Sequence, residues 1–219
     1  MRTQLGHGGE PGHRTKLGGR PAAYSVRMET PITSRPVVGL LGATGITGRV
    51  ALAHLVTRAA EAGVEVLVGA RDPDRVRARC EKRGLPRPEI VRVDLAEPAT
   101  LAPFVARADV VLNLAGPYTR LAPPVIAVCL DHGAHYVDLT GEAPLAHRTD
   151  LLHDDARAAG VAIVHTAGFE ALPADILVDA ARRHAATSGE HLRSADLVTS
   201  VNAPAGTGRE EMISGGTAQ

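Results

Sequence analysis

Aromatic residues are scarce in this 219-residue chain: they make up 2% of it, and there is no tryptophan. A core built from such a sequence depends on Val, Leu, Ile and Ala, which is typical of buried parallel sheets. The two cysteines, Cys80 and Cys129, are far apart and have no Cys-x-x-Cys spacing, which argues against a disulfide framework and a zinc ribbon. No apolar run approaches the roughly 18 residues that cross a membrane, and no apolar signal segment opens the chain, so we expect a cytoplasmic protein without a membrane span.

Charge is balanced overall but unevenly distributed. The formal net charge is zero, so nothing in the bulk electrostatics favours nucleic acid as a partner. Residues 1–35 carry six basic and two acidic residues, are rich in glycine and show no apolar periodicity. We predict a disordered tail there; the alternative is a mistaken extension upstream of a true start at Met28. A basic nucleic-acid-binding arm is disfavoured because the segment has no aromatic or helical organisation.

From Pro36 onward, short apolar runs alternate with segments of helical periodicity. Predicted strands occupy 37–41, 64–68, 90–93, 110–114, 136–138 and 161–165, and predicted helices occupy 49–62, 73–83, 100–107, 124–130 and 151–159. This alternation is the pattern of an α/β fold with a doubly wound parallel sheet. The order 3-2-1-4-5-6 is inferred from the two-halves arrangement that such sheets usually adopt.

Three glycines in a G-x-x-G-x-x-G spacing separate the first predicted strand from the first predicted helix. A dinucleotide pyrophosphate needs backbone N–H donors brought close, and a helix N-terminus supplies them together with a favourable dipole. The strand–loop–helix context favours cofactor binding over an ordinary turn. We therefore predict a dinucleotide-binding Rossmann domain over residues 36–170, with its pyrophosphate held by Gly42, Ala43, Thr44, Gly45, Ile46, Thr47 and Gly48.

Later strand ends carry the remaining candidate cofactor contacts. NAD-specific domains place an acidic residue about 20 positions past the loop, whereas Arg71 occupies that region here. A guanidinium pairs with a 2′-phosphate, so the cofactor expected is NADP(H); the alternative for Arg71 is a solvated charge at a helix start. Asp94 lies where an adenine contact is usual, with capping of the next helix as an equal alternative. Asn113, Ala115 and Gly116 end the fourth strand beside the expected nicotinamide position.

Several other catalytic arrangements are missing from the sequence. No tyrosine precedes a lysine by four positions, which excludes the proton-transfer pair of short-chain dehydrogenases. A Gly-Lys phosphate loop, a His-Glu-x-x-His zinc site and a Gly-x-Ser-x-Gly nucleophile elbow are also missing. His132 and His135 are three positions apart without an obvious third ligand, so no metal site is predicted.

Five motifs follow one another along the chain: Gly-Ala-Thr-Gly-Ile-Thr-Gly-Arg, Gly-Ala-Arg, Leu-Asn-Leu-Ala-Gly-Pro-Tyr, His-Tyr-Val-Asp-Leu-Thr-Gly-Glu and Val-His-Thr-Ala-Gly-Phe-Glu-Ala-Leu-Pro-Ala-Asp. From about Val37 to its end, the chain resembles the saccharopine dehydrogenase-like family, which includes the trans-acting enoyl reductases. The resemblance implies an NADP-binding Rossmann domain followed by a substrate and dimerisation domain. Gly215-Gly216-Thr217 resembles an early part of that second domain, so residues 171–219 are expected to be a linking helix and the start of an incomplete domain.

The resemblance also implies reduction of an imine or a conjugated double bond in a small molecule, with homodimerisation through the second domain. The alternative is a non-catalytic NADP-binding module or a truncated fragment that lacks its substrate domain. Since nicotinamide supplies hydride, the protein must orient the acceptor and manage one proton. The candidates at strand ends are Tyr118, Asp138, Glu142, His165 and Glu170, each with a structural alternative in a loop, core or helix start. We expect Tyr118 first, beside the nicotinamide position, with Glu170 and Asp138 as the other catalytic candidates.

Overall fold

The computed structural model describes residues 35–168 and 171–196. Within these ranges strands and helices alternate along the chain, as the periodicity predicts, except that two helices lie between the last two strands. The elements are β1 (Val37–Leu41), α1 (Ile46–Ala62), β2 (Glu65–Ala70), α2 (Pro73–Lys82), β3 (Glu89–Arg92), α3 (Pro98–Val105), β4 (Val110–Asn113), α4 (Tyr118–His132), β5 (His135–Asp138), α5 (Ala143–Asp150), α6 (His153–Ala159), β6 (Ile163–Val164) and α7 (Leu172–Thr187).

All six strands pair in parallel, in the order β3-β2-β1-β4-β5-β6. Central β1 pairs with β2 on one side and with β4 on the other; Val38, for example, lies opposite Val66 and Val110. The predicted α/β class and strand order are both confirmed. Because the order reverses between β1 and β4, the carboxyl ends of these two strands flank the crevice where open α/β sheets bind ligands.

The core consists of two apolar layers, one on each face of the sheet. Successive strand residues point to opposite faces, so Leu40 packs in the layer with Leu52 and Val56 of α1, while Leu41 packs in the layer with Phe104 of α3. All five side chains are buried, and the layers contain mostly aliphatic residues. The low aromatic content of the sequence therefore suffices for a sheet covered on both faces.

The element bounds differ from the predicted ones where long-range contacts set them. The predicted helix over 124–130 begins earlier, at Tyr118, and includes Pro123 and Pro124. The helix α5 (Ala143–Asp150) was not predicted, because it is short and buries only Leu145 and Thr149. The last strand is limited to Ile163–Val164, since only these residues pair with β5.

Among the described residues, no helix combines the length and apolar character needed to cross a membrane. The helix α7 has no buried residue. Residues 1–34 of the predicted tail, Glu170, and residues 197–219 of the expected second domain lie outside the described residues. The predicted domain boundaries stay predictions.

Candidate cofactor site

The glycine loop lies at the crossover from β1 to α1, where the sequence predicts it. Gly42 follows β1 directly, and the Gly45 N–H donates a 3.0 Å hydrogen bond to its carbonyl oxygen. Gly45 is the N-cap of α1, and its own carbonyl accepts the Arg49 N–H at 3.1 Å. The loop therefore delivers the chain into the first turn of a 17-residue helix, whose leading N–H groups have no partner within the helix.

Side chains would not fit at two of the three loop glycines. Gly42 has a φ of +80°, and a Cβ there would come within 2.5 Å of the Leu114 carbonyl group, just beyond β4. A Cβ on Gly48 would lie 1.9 Å from the Gly42 carbonyl oxygen. These two positions hold the loop tightly against the start of α1 and the end of β4, which preorganises it for a ligand.

Gly45 differs, because its neighbourhood is open. A Cβ there would meet only the Gly42 carbonyl oxygen, at an ordinary 3.4 Å, and its φ of −69° suits any residue. Gly45, Ile46 and Thr47 are exposed, whereas Ala43 is buried. The loop thus presents bare backbone outward, an arrangement that fits a diphosphate lying across the helix N-terminus.

Arg71 and Asp94 follow neighbouring strands at the same edge of the sheet. Arg71 is exposed immediately after β2, while the next residue, Asp72, caps α2 by accepting the Arg75 N–H at 3.0 Å. The Asp94 carboxylate accepts the Ala96 N–H at 3.0 Å in the turn before α3. The N-cap of α3 is Glu97, so Asp94 stabilises the preceding turn and does not cap the helix.

Asn113, at the carboxyl end of β4, is fully buried and fixes the turn that follows it. Its Oδ1 accepts the Ala115 N–H at 3.0 Å, and its Nδ2 donates to the Tyr136 hydroxyl at 3.1 Å. Ala115 is half-buried and Gly116 is exposed. The backbone that the sequence assigns to the nicotinamide end is therefore held from inside the protein.

Tyr136 and Asp138 continue this buried network on β5. The Tyr136 hydroxyl donates to Asp138 Oδ2 at 2.8 Å, and Asp138 Oδ1 accepts the Thr140 and Thr166 N–H groups at 3.0 and 3.2 Å. Thr166 reaches the carboxylate with a φ of 56°, a left-handed conformation that costs a residue with a side chain about 1–2 kcal/mol. Asp138 is 0% exposed, and its carboxylate is engaged with protein donors. Both carboxylate oxygens of Asp138 therefore accept hydrogen bonds from within the protein.

Glu142 binds the start of α4. Its Oε1 accepts the Tyr118 N–H at 2.9 Å and its Oε2 accepts the Thr119 N–H at 2.7 Å. Burial opposes ionisation of this carboxyl, but the hydrogen bonds from Thr119 and Tyr118 outweigh burial and lower its pKa. The sequence identified Glu142 as a candidate but gave no sign that it caps a helix 24 residues earlier.

Tyr118 is the first residue of α4 and is half-buried. Burial and the nearby carboxylates of Asp138 and Glu142 raise the pKa of its hydroxyl to about 12, against a smaller opposing effect of the Leu139 backbone. The side chain therefore remains protonated, and able to donate a hydrogen bond, throughout the neutral range.

His165 lies beside Asp150 and next to Thr166, whose N–H donates to Asp138. Its Nε2 is 3.2 Å from Asp150 Oδ1, and its Nδ1 is 3.4 Å from the Thr166 hydroxyl. Among the described residues, no group of three His, Cys, Asp or Glu side chains could hold a metal ion.

Tyr136 was absent from the predicted site, although its place two residues before Asp138 on a strand puts both side chains on one face.

Comparison with known proteins identifies the domain. Residues 38–164 match the model of the saccharopine dehydrogenase NADP binding domain. The chain is 38% identical over 153 residues to the trans-acting enoyl reductase of Mycobacterium ulcerans, covering 68% of this chain and 36% of that protein. It is 37% identical over 143 residues to the trans-acting enoyl reductase of Mycobacterium leprae, covering 64% and 34%. The chain thus spans about a third of the length of these relatives.

The fold is also similar to that of apo saccharopine dehydrogenase (L-Glu forming) from Saccharomyces cerevisiae. The TM-score is 0.56 at 22% identity, covering 70% of this chain and 32% of the yeast chain. The family match spans more than half of the chain and contains the glycine loop together with Asn113, Tyr136 and Asp138. The chain belongs to the saccharopine dehydrogenase NADP-binding domain family, and its cofactor is NADP(H).

Proposed function

We propose that this chain forms the NADPH-binding part of a reductase that acts on the conjugated carbon–carbon double bond of an enoyl substrate. The observation that carries the proposal is the rigid glycine loop, which turns exposed backbone outward at the start of α1. Relatives at 37 and 38% identity are named trans-acting enoyl reductases, which favours an enoyl over an imine substrate.

Each part of the crevice receives one portion of the cofactor in this proposal. Bound NADPH supplies the hydride. The amides and threonine hydroxyls of residues 42–48 hold the pyrophosphate, and the exposed guanidinium of Arg71 pairs with the 2′-phosphate. Asp94 faces the adenosine end, while Asn113, Ala115 and Gly116 form the wall at the nicotinamide end.

Tyr118 is the group that we propose for contact with the substrate. Its hydroxyl stays protonated because burial and two carboxylates raise its pKa to about 12. Such a hydroxyl donates a hydrogen bond to the substrate oxygen on which negative charge develops during reduction. Glu170 stays a prediction for proton handling, outside the described residues.

The rest of the substrate site is proposed to come from a second domain that begins within residues 171–219. The exposure of Leu172, Ile176 and Leu177, at 43, 59 and 60%, supports an apolar partner surface for α7. In this proposal, the partners of the protein are a small-molecule substrate and a second copy of the chain. We place the protein in the cytoplasm, where Cys80 and Cys129, both buried and unpaired, would stay reduced.

The cofactor role can be tested with two glycine variants that act in opposite ways. The added methyl group in Gly45→Ala fits the protein itself but lies where a diphosphate would approach. Gly84→Ala introduces strain at a φ of +61°, after the C-terminal end of α2 and at the opposite edge of the sheet. Titration with NADPH, followed by its fluorescence, should show at least a tenfold loss of affinity for Gly45→Ala and none for Gly84→Ala. In urea unfolding, Gly84→Ala should lower the free energy of unfolding more than Gly45→Ala does.

Enoyl reduction is tested separately, by following NADPH oxidation with a panel of enoyl thioesters and imines. Oxidation with the enoyl compounds supports the proposal. Turnover of imines alone would overturn the substrate class. Tight NADPH binding without oxidation would favour a non-catalytic binding module. In the titration above, an NADPH affinity unchanged by Gly45→Ala would contradict the assignment of the loop to the cofactor site.

A further inference from the structure

A continuous chain of three hydrogen bonds, two of them buried, links the ends of β4 and β5. The Ala115 N–H donates to Asn113 Oδ1 at 3.0 Å, Asn113 Nδ2 donates to the Tyr136 hydroxyl at 3.1 Å, and that hydroxyl donates to Asp138 Oδ2 at 2.8 Å. The side chains of Asn113, Tyr136 and Asp138 are all 0% exposed. Three buried polar groups in series are costly unless each is satisfied, and each is satisfied here.

The direction of this chain is set at the Asp138 end. Asp138 Oδ1 accepts two backbone N–H groups and Oδ2 accepts the Tyr136 hydroxyl, so the hydroxyl is the donor in its bond with the carboxyl group. The hydroxyl keeps the proton that it donates, because burial and the charge of Asp138 raise the pKa of Tyr136 well above its ordinary range. The hydroxyl oxygen is then left as an acceptor, and only the amino group of Asn113 can donate to it. The carbonyl oxygen of Asn113 therefore faces Ala115.

We propose that Asp138 is a positioning residue, which fixes the orientation of the Asn113 carboxamide through Tyr136 and so holds the Ala115–Gly116 backbone in the form that receives the nicotinamide. The carboxylate is itself held from the other side, by the N–H groups of Thr140 and Thr166 on Oδ1. Its charge thus acts across two strand ends without contact with the cofactor. The relevance to nicotinamide rests on the function proposed above, whereas the orientation of Asn113 does not.

Replacing the carboxylate of Asp138 by a carboxamide reverses the donor and acceptor roles along this series of hydrogen bonds in a predictable way. In Asp138→Asn, the new amino group meets either the two backbone donors or the Tyr136 hydroxyl. Facing the hydroxyl is the less costly choice, since a hydroxyl can accept. The hydroxyl proton then points at Asn113, which must rotate by half a turn and place its amino group against the Ala115 N–H. The Ala115 amide loses its acceptor.

The orientation can be measured first in the unaltered protein. Nuclear Overhauser contacts from the Asn113 amino protons should reach the Tyr136 ring and not the Ala115 amide proton. The opposite pattern would overturn the proposal, and this measurement does not depend on whether any variant folds.

Variants then test the dependence on Asp138, with hydrogen exchange at the Ala115 amide as the readout and the amides of β4 as reporters of global opening. We expect exchange at Ala115 to accelerate about tenfold in Asp138→Asn, the loss of one hydrogen bond. In Tyr136→Phe/Asp138→Asn, no hydroxyl remains to impose the reversed orientation, so protection at Ala115 should return although the fold is less stable. A merely structural role would give faster exchange in the double variant than in Asp138→Asn, and that result would overturn the proposal.

The cofactor arm uses the same proteins and a matched control. Thr149→Val removes another buried hydroxyl, which donates to the Leu145 carbonyl within α5. NADPH affinity should fall about tenfold in Asp138→Asn, recover in part in the double variant and stay unchanged in Thr149→Val. Unaltered protein that binds no NADPH would contradict the proposed function, while exchange at Ala115 would still decide the positioning role. Asp138→Asn with unchanged affinity and unchanged exchange would overturn the inference alone.

Discussion

The carboxylate of Glu142 occupies the N-terminus of α4 by binding the Tyr118 and Thr119 N–H groups, at 2.9 and 2.7 Å. A helix N-terminus carries partial positive charge and unpaired donors, and here an internal carboxylate satisfies two of them. The N-terminal end of α4 is thus closed by the protein itself, whereas no side chain caps the N-terminal end of α1.

Glu142→Gln should destabilise the fold, because its amino group cannot accept from the second of these donors. We expect the free energy of unfolding at pH 7, measured with urea, to fall by about 1–2 kcal/mol. Glu61→Gln is the matched control, since Glu61 makes only an exposed 3.6 Å pair with Arg58 and should change stability by less than about 0.5 kcal/mol.

The same carboxyl predicts an acid dependence. The pKa of Glu142 is lowered in the folded state from an ordinary value of 4.5. Its stabilising contribution is therefore complete above that value and is lost as the pH falls through the folded pKa. The stability difference between the unaltered protein and Glu142→Gln should shrink as the pH falls below 4.5. A difference that stays constant from pH 7 to 3 would contradict this role for the charge.

The fold was predictable because its signals are local. Each strand is a short apolar run, each crossover helix has its own period, and the doubly wound order follows from how such units pack. The start of α4 was not predictable in this way. Its first amides are satisfied by Glu142, 24 residues later, and no periodicity within Tyr118–His132 records that contact.

The candidate site likewise has one part that local sequence predicts and one part that it does not. The glycine loop could be located from sequence because three glycines at fixed spacing between a strand and a helix carry the whole requirement. The series of hydrogen bonds from the Ala115 amide to Asp138 forms only if β4 and β5 are neighbours in the sheet. From the sequence, that neighbourhood follows only through the inferred strand order. Given that order, Asn113, Tyr136 and Asp138 could have been placed together, since Asn113 and Asp138 end neighbouring strands and Tyr136 lies two residues before Asp138 on the same face.

Arg71 should decide which dinucleotide binds. It is exposed directly after β2, where a 2′-phosphate is expected, and Arg71→Asp would place a negative charge against that phosphate. We expect NADPH affinity to fall by about 10- to 100-fold and NADH affinity by less than about threefold in fluorescence titrations. The control is Arg83→Asp, an exposed charge reversal at the other end of α2. Equal losses for the two cofactors would show that Arg71 does not contact the 2′-phosphate.

Tyr118 should be visible in the alkaline stability of the protein. The folded state raises its pKa from 10.0 to about 12, so it favours the protonated side chain. This contribution is complete below pH 10 and is lost as the pH rises toward 12, because the unfolded chain ionises first. Between pH 8 and 11, the free energy of unfolding should fall by about 1 kcal/mol more in the unaltered protein than in Tyr118→Phe.

Tyr136 is present in both proteins of that comparison, so its own ionisation cancels. Parallel alkaline curves would mean that Tyr118 titrates alike in the folded and unfolded chains. Such a result would remove the argument that its hydroxyl is held in the protonated form beside the substrate.

The central place of β1 has a consequence for synthesis on the ribosome. Val38 pairs with Val66 on one side and with Val110 on the other, and Val110 is synthesised later than Val66. A nascent chain that has released β2 can cover one edge of β1, while the second edge keeps its backbone donors and acceptors unpaired until β4 emerges. Contacts so distant in sequence form slowly, and an uncovered apolar strand is a template for wrong pairing. We expect the interval between release of β2 and release of β4 to be the period in which this chain depends most on chaperones.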